Sequence, residues 1–138
     1  MPMIDITVPA GLLDDAGLAA LADSAGRALL AHEGRPVAPP FDVNTGVTVH
    51  VVPSSHYRTV AGDASSIVRF EVLTPPGALP RDGVVGLVAD LHALVQSLAG
   101  AAARTWVQVS ETIDGGWGVD GFAPTTAELR ALLASQRA

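Results

Sequence analysis

A proline stands directly after the initiator methionine, at position 2. Methionine is normally removed before a small second residue, so we expect the mature chain to begin with Pro2. The nitrogen of a terminal proline is a free secondary amine. An α-amino group titrates at about pH 8, and an apolar pocket lowers that pKa because it disfavours the cation. Pro2 therefore has the chemistry of a general base near neutral pH; the alternative is that Met-Pro is only a common start.

No other residues form a recognised catalytic or cofactor-binding pattern. The histidines show neither i,i+4 pairing on a helix nor a carboxylate-bearing motif; they are His32, His50, His56 and His92. This pattern predicts no metal site. A G-x-S-x-G elbow is missing, the glycine-rich string 115–121 follows no strand–helix phosphate arrangement, and the chain contains no cysteine. We therefore expect no serine-hydrolase, nucleotide or thiol chemistry, and no cofactor.

The composition narrows the class of partner. In 138 residues, Lys and Arg number 8 against 14 for Asp and Glu, a net charge of −6, which disfavours binding to nucleic acid. Hydrophobic residues make up 49%, but no uninterrupted apolar run approaches the roughly 18–20 residues of a membrane span. The first residues show no signal-peptide pattern. We expect a cytoplasmic protein of one domain, without nucleic-acid or membrane partners.

An internal repeat organises the chain. Residues 8–17 can be laid on residues 74–83 at an offset of 66, and both copies run from a strand through a Pro-Gly turn into an apolar-periodic helix. The strands alternate apolar and polar residues, which predicts sheets with one face against helices. The apolar positions are Ile4, Ile6 and Val8 in the first copy, and Val68, Phe70 and Val72 in the second.

Each predicted helix is followed by another strand. The helices cover about residues 15–31 and 84–98, and the second strands cover 47–52 and 105–110, so the chain reads β-α-β twice with parallel pairs. We predict one domain over residues 1–138, with halves at about 1–62 and 63–121 and a C-terminal arm at 122–138. In the arm, Thr125 and Glu128 have the form of a capping box and predict a short helix to about Gln136.

These features together resemble the tautomerase superfamily, which includes 4-oxalocrotonate tautomerase and macrophage migration inhibitory factor. The resemblance rests on the MPMIDITVPAG start, the doubled β-α-β unit and the segment from Trp106 to Gly118, and it spans about residues 2–121. It implies an α/β (α+β) fold, with a four-stranded mixed sheet backed by two helices, and a homotrimer. It also implies that the amino-terminal proline acts as general acid or base on an enol or α-keto acid.

The resemblance implies several substrate-binding residues, but two arginine positions of the family are not occupied by arginine in this sequence. Many members place arginine just after the first strand of either half, but here the turns at 9–13 and 75–79 contain none. Arg35 matches a lysine position that holds a carboxylate in the inhibitory-factor branch; the alternative is a solvated loop cation. Trp106 and Gln108 match an aromatic residue and an amide that face a neighbour's proline, and Trp117 matches an aromatic lid. Ordinary interface packing is the alternative for Trp106 and Gln108.

The function that follows is a cofactor-independent tautomerase acting on a small carboxylate or enol, with Pro2 as the catalytic residue. Because Arg35 is the best-placed cation, we expect a monocarboxylate to be preferred over a dicarboxylate. One alternative is a non-catalytic trimer of the same fold that serves as a binding or scaffold protein. Another is a decarboxylase or hydratase of the same superfamily.

Overall fold

The computed structural model describes residues 2–135 and contains a four-stranded mixed sheet. Numbered in chain order, the sheet strands are β1 (Met3–Pro9), β2 (Gly46–Val52), β5 (Ile67–Thr74) and β6 (Arg104–Glu111). The order across the sheet is β2-β1-β5-β6, with parallel outer pairs and an antiparallel central pair. This arrangement confirms the predicted fold class and both parallel pairs.

The central pair of strands carries the internal repeat in its register. Ile4 lies opposite Val72, and Ile6 lies opposite Phe70. The 66-residue offset of the repeat matches Ile4 with Phe70 and Ile6 with Val72. The repeat therefore maps the first pair onto the second. The halves are therefore related by an approximate two-fold rotation about the middle of the sheet. The segment that joins them contains a small hairpin of β3 (Arg58–Thr59) and β4 (Gly62–Asp63).

Two long helices, α1 (Asp15–His32) and α2 (Arg81–Ala99), pack on one face of the sheet. Helix α1 begins at Asp14, whose carboxylate accepts a hydrogen bond of 2.8 Å from the backbone N–H of Gly17. The fully buried residues of the two helices are Leu21, Ala25, Leu29, Leu87, Leu91 and Val95. They meet the apolar face of the central strands and form one core with it. By length and composition α2 also resembles a membrane span, a test that core helices pass as well.

The two helices approach closely where His32 passes over α2. Its Nε2 makes a hydrogen bond of 2.7 Å with Asp90, and the ring lies directly over Gly86. A Cβ atom at Gly86 would collide with this ring. Glycine at position 86 thus permits the contact that fixes the end of α1, and with it the loop that follows.

A third helix, α3 (Thr126–Ser135), forms the described part of the C-terminal arm. The predicted capping box is confirmed, because Glu128 accepts hydrogen bonds of 2.8 Å from both the backbone N–H and the hydroxyl of Thr125. The predicted end of this helix, at about Gln136, lies outside the described residues.

Candidate active site

A cavity of about 300 Å³ lies at the end of the sheet where β1 begins and β5 ends. We call it the chamber. Four parts of the chain form its walls: Pro2, the loop after α1, the turn after β5, and the C-terminal arm with α3. Most of the lining is apolar, and its charged residues are Glu33, Arg35 and Arg130. A small organic acid fits a space of this size and character.

Pro2 is buried at the chamber wall, and strand pairing fixes its position. Its carbonyl oxygen accepts a hydrogen bond of 3.2 Å from the backbone N–H of Gly46. Because Met3 pairs with Leu73, the same register places Pro2 opposite Thr74, which is fully buried. Pro2 follows the alternation of Ile4, so it lies on the helix-covered, apolar face of the sheet, as the sequence predicts.

Arg35 lines the same chamber because of the way in which α1 ends. Gly34 has a φ of +67° and donates a backbone hydrogen bond of 3.0 Å to Ala31, while Arg35 donates one of 2.8 Å to Leu30. These two bonds form a Schellman motif, which turns the chain away from the helix axis at Gly34. The Arg35 guanidinium then lies 5.1 Å from the centre of the Phe41 ring, which also lines the chamber.

Glu33 is a chamber residue that the sequence analysis missed. Its Oε1 accepts a hydrogen bond from the hydroxyl of Thr74. Burial raises the pKa of the Glu33 carboxyl, although the Thr74 hydrogen bond and the charge of Arg35 both oppose this effect. An acidic residue at the C-terminal end of a helix interacts unfavourably with the helix dipole. The position of Glu33 after α1 was therefore the sequence feature that could have marked it as a functional residue.

Arg130 is the second missed residue. It extends from α3 and lines the chamber together with three leucines of the same helix, Leu129, Leu132 and Leu133. The sequence analysis assigned none of the side chains of the C-terminal arm to the site. In the structure the arm lies along the chamber that Pro2 also lines.

The structure does not bring Trp117 into the lining of the chamber. Trp117 lines a smaller cavity of about 30 Å³ together with Ile113, Asp114 and Gly115. That cavity also touches Pro75, Pro76 and Leu129, which belong to the chamber wall. Trp117 therefore packs beside two walls of the chamber, and its predicted role as an aromatic lid stays a prediction.

Trp106 and Gln108 lie on the open face of the sheet, opposite the helices. Val107 and Val109 pack against the core, as the alternation predicts, whereas Trp106 is 39% exposed and Gln108 is exposed. Neither Trp106 nor Gln108 lines the chamber of its own chain. Any contact they make with Pro2 has to cross between subunits.

Charged and aromatic residues cover the rest of the open face. His50 makes a contact of 2.9 Å with Asp5, and Arg69 donates a hydrogen bond of 2.7 Å to Glu71. Tyr57 packs edge-on against Trp106, with ring centres 6.2 Å apart. The Tyr57 hydroxyl and the Arg69 Nε are buried without a hydrogen-bond partner, so this face contains polar groups that a second molecule could satisfy.

The doubled β-α-β unit and its four-stranded mixed sheet form a fold that several solved structures share. Similar solved structures include Pt0534 inactivated by 2-oxo-3-pentynoate, with a TM-score of 0.76 and 18% identity over 91% of this chain and 97% of that one. The Q0 fused 4-OT symmetric trimer has a TM-score of 0.72 and 13% identity over 92% and 98%. N1, a member of the cis-3-chloroacrylic acid dehalogenase family, has a TM-score of 0.73 and 18% identity over 96% and 91%. No family model and no curated protein matches the sequence, and at these identities the likeness concerns the fold.

Proposed function

We propose that the protein is a cofactor-independent tautomerase that uses Pro2, freed by removal of Met1, as its general acid and base. The observation that carries this proposal is that Pro2 is buried in the wall of a largely apolar chamber that also contains Arg35. A mobile proline at the surface would offer no such arrangement. The substrate class is a small enol or α-keto acid.

The chemistry requires one base and one anion-binding group. The neutral nitrogen of Pro2 accepts a proton from one position of the substrate, and the resulting ammonium returns a proton to the other, so carbon and oxygen exchange a hydrogen with no net change. Apolar walls keep a useful fraction of the amine neutral near pH 7. Arg35, braced by Phe41, pairs with the substrate carboxylate and holds the reacting atoms near the nitrogen.

We place this activity in a homotrimer built through the open faces of the sheets. Support comes from the exposed Trp106, from the unpartnered buried groups of Tyr57 and Arg69, and from the symmetric trimer formed by Q0 fused 4-OT. In such a trimer Trp106 and Gln108 of one subunit face the chamber of the next. They would then contact the substrate from across the interface.

Addition of water is a second candidate, and Glu33 is the observation that favours it. A hydratase needs a group that takes a proton from water while another group protonates the substrate carbon. Glu33 and Pro2 line the same chamber and supply two such groups. Product analysis separates the candidates, because a tautomerase returns an isomer of unchanged mass, whereas a hydratase adds one water.

The direct test follows the amine of Pro2. Intact mass spectrometry should show that Met1 is absent, and the purified protein should convert the enol of phenylpyruvate to the ketone. The reagent 2-oxo-3-pentynoate should add once per chain, at the N-terminal peptide, because a secondary amine adds across its activated triple bond with no leaving group.

A matched control keeps the proline but converts its nitrogen from a basic amine into an amide. A lysine inserted between Met1 and Pro2 prevents methionine removal and leaves Pro2 as an amide. This variant should fold, lose the turnover of phenylpyruvate and take up no reagent. Full turnover by the inserted variant would contradict the proposal and would favour the non-catalytic alternative for Pro2.

A further inference from the structure

Helix α3 walls the chamber but is attached to the rest of the chain mainly at its first turn. The carboxylate of Asp114 accepts two hydrogen bonds of 2.7 Å from Thr126, one from its backbone N–H and one from its hydroxyl. None of the residues of α3 is buried, whereas α1 and α2 bury four residues each. Side-chain burial therefore contributes little to holding α3 in place, and the core does not depend on it.

The segment before α3 contains a tight turn. Val119 and Phe122 exchange two backbone hydrogen bonds of 2.9 Å, and the two residues between them, Asp120 and Gly121, both have positive φ angles. This is the geometry of a two-residue hairpin turn. Residues 123–125 then form the connection to α3, and they lie between that turn and the Asp114 anchor.

Arg130 is the charged residue that the described part of α3 presents to the chamber. The other charged residue of the helix, Glu128, is engaged in the capping box at Thr125. The pKa of Asp114 is lowered, first by the hydrogen bonds from Thr126 and further by the charge of Arg130. The guanidinium of Arg130 thus lies near the anchor and the chamber together, while Arg35 comes from a different wall.

We propose that α3 is a hinged wall of the chamber and that Arg130 is a second anion-binding residue, which pairs with the carboxylate of the bound acid when α3 closes. The inference rests on the proposed function for the identity of the chamber as the substrate site. A carboxylate enclosed by apolar side chains needs its lone pairs satisfied, and a second guanidinium supplies donors that Arg35 alone does not. The expected preference for a monocarboxylate assumed Arg35 as the cation of the site, and Arg130 is a second one.

The experiment measures binding rather than turnover. Calorimetry with phenylpyruvate and with its methyl ester should show that Arg130→Ala weakens binding of the acid by roughly tenfold, the scale of one partly exposed charge-assisted bond. Binding of the ester should be unchanged. Arg130→Lys should recover part of the loss, because the charge remains. Arg27→Ala, at an exposed arginine of α1 that pairs with Asp23 and does not line the chamber, is the matched control and should bind both ligands as the wild type does.

The anchor gives an independent test of the hinge. Asp114→Ala should weaken acid binding when Arg130 is present and should cause no further loss in the Arg130→Ala background. Additive losses would show that Asp114 acts on the chamber by another route, and they would overturn the hinged wall. Unchanged acid binding in Arg130→Ala would overturn the anion-binding role.

The design separates failure of this inference from failure of the proposed function. A wild type that binds the acid through Arg130 but turns over no enol would refute the tautomerase and leave the binding site standing. If the wild type turns over the enol while Arg130→Ala binds the acid normally, the tautomerase proposal stands and the anion-binding role of Arg130 is refuted. Circular dichroism of each variant confirms that the fold is retained, which we expect because Arg130 is exposed.

Discussion

The hydroxyl of Thr74 donates a hydrogen bond to Oε1 of Glu33, and this bond joins the end of β5 to the end of α1. Thr74 is fully buried, and the register that pairs Met3 with Leu73 places it opposite Pro2. The bond thus connects the second half of the chain with the first at Glu33, which lines the same chamber as Pro2. It also places a carboxyl group in surroundings that favour its protonated form.

Glu33→Gln should make the protein more stable at neutral pH. Because the pKa of Glu33 in the folded protein is raised above its ordinary value of 4.5, its favourable contribution is complete below that value and is lost as the pH rises through the folded pKa. The neutral amide keeps an acceptor for Thr74 and avoids this loss. Urea unfolding should show a gain on the order of 1 kcal/mol at pH 7, a gain that disappears by about pH 4.

Glu128→Gln is the matched control, with the opposite sign. Hydrogen bonds from the backbone and then the hydroxyl of Thr125 lower the pKa of Glu128, so its contribution is present above the ordinary value and is lost as the pH falls through the folded pKa. This variant should lose stability at neutral pH and little in acid. The same direction of change in both variants would show that Glu33 is not held in a desolvated site.

Pro2→Ala should lower tautomerase activity by on the order of 10²-fold or more, the range expected for loss of a positioned acid–base group. Alanine keeps an amine after methionine removal, but the amine is primary, flexible and differently basic. Steady-state kinetics with phenylpyruvate enol give the measurement. Pro36→Ala, at an exposed proline outside the chamber, should keep wild-type kinetics; equal activity in Pro2→Ala would mean that another group moves the proton.

Arg35→Ala should raise KM for acids by roughly tenfold, the ~1.4 kcal/mol scale of one partly exposed charge-assisted bond, and should leave neutral enols almost unaffected. The measurement is kcat/KM for a pyruvate enol and for its methyl ester. Arg27→Ala serves as the control, because Arg27 pairs with Asp23 at the surface of α1. Equal losses for acid and ester, or no loss for either, would remove Arg35 from the site.

Trp106→Asp should dissociate the proposed trimer. A carboxylate at this position would be desolvated in an interface between open sheet faces, and Arg69, its neighbour across the strand pair, already pairs with Glu71. Light scattering at micromolar concentration should give a trimer mass for the wild type and a monomer mass for the variant. Val85→Asp, at an exposed position of α2, should remain trimeric. A monomeric wild type would defeat the assembly itself.

Sequence patterns were sufficient for the elements that repeat. Alternation at Ile4 and Ile6 predicted the buried face of β1, and the 66-residue offset predicted that a second strand with Phe70 and Val72 repeats it. The pairing of the two strands came only from the structure. The capping box at Thr125 also gave the start of α3 correctly. In each case the signal is local or periodic, so it survives without knowledge of the tertiary contacts.

The composition of the chamber could not be predicted in the same way. Glu33 and Thr74 are 41 residues apart, and their hydrogen bond exists only because α1 ends over the end of β5. Arg130 reaches the chamber because the arm folds back over its own chain, a choice that no spacing encodes. Trp117 lines a neighbouring cavity that shares Pro75, Pro76 and Leu129 with the chamber, and its role as a lid stays a prediction.

The approximate two-fold relation of the halves has a consequence for stoichiometry. The offset that maps Ile4 onto Phe70 maps Pro2 onto Val68, whose nitrogen lies within the chain as an ordinary amide. The repeat thus copies the strand and the helix but not the chain terminus. Under the proposed function, removal of Met1 therefore frees one such amine in each chain, and the matching position of the second half supplies an amide.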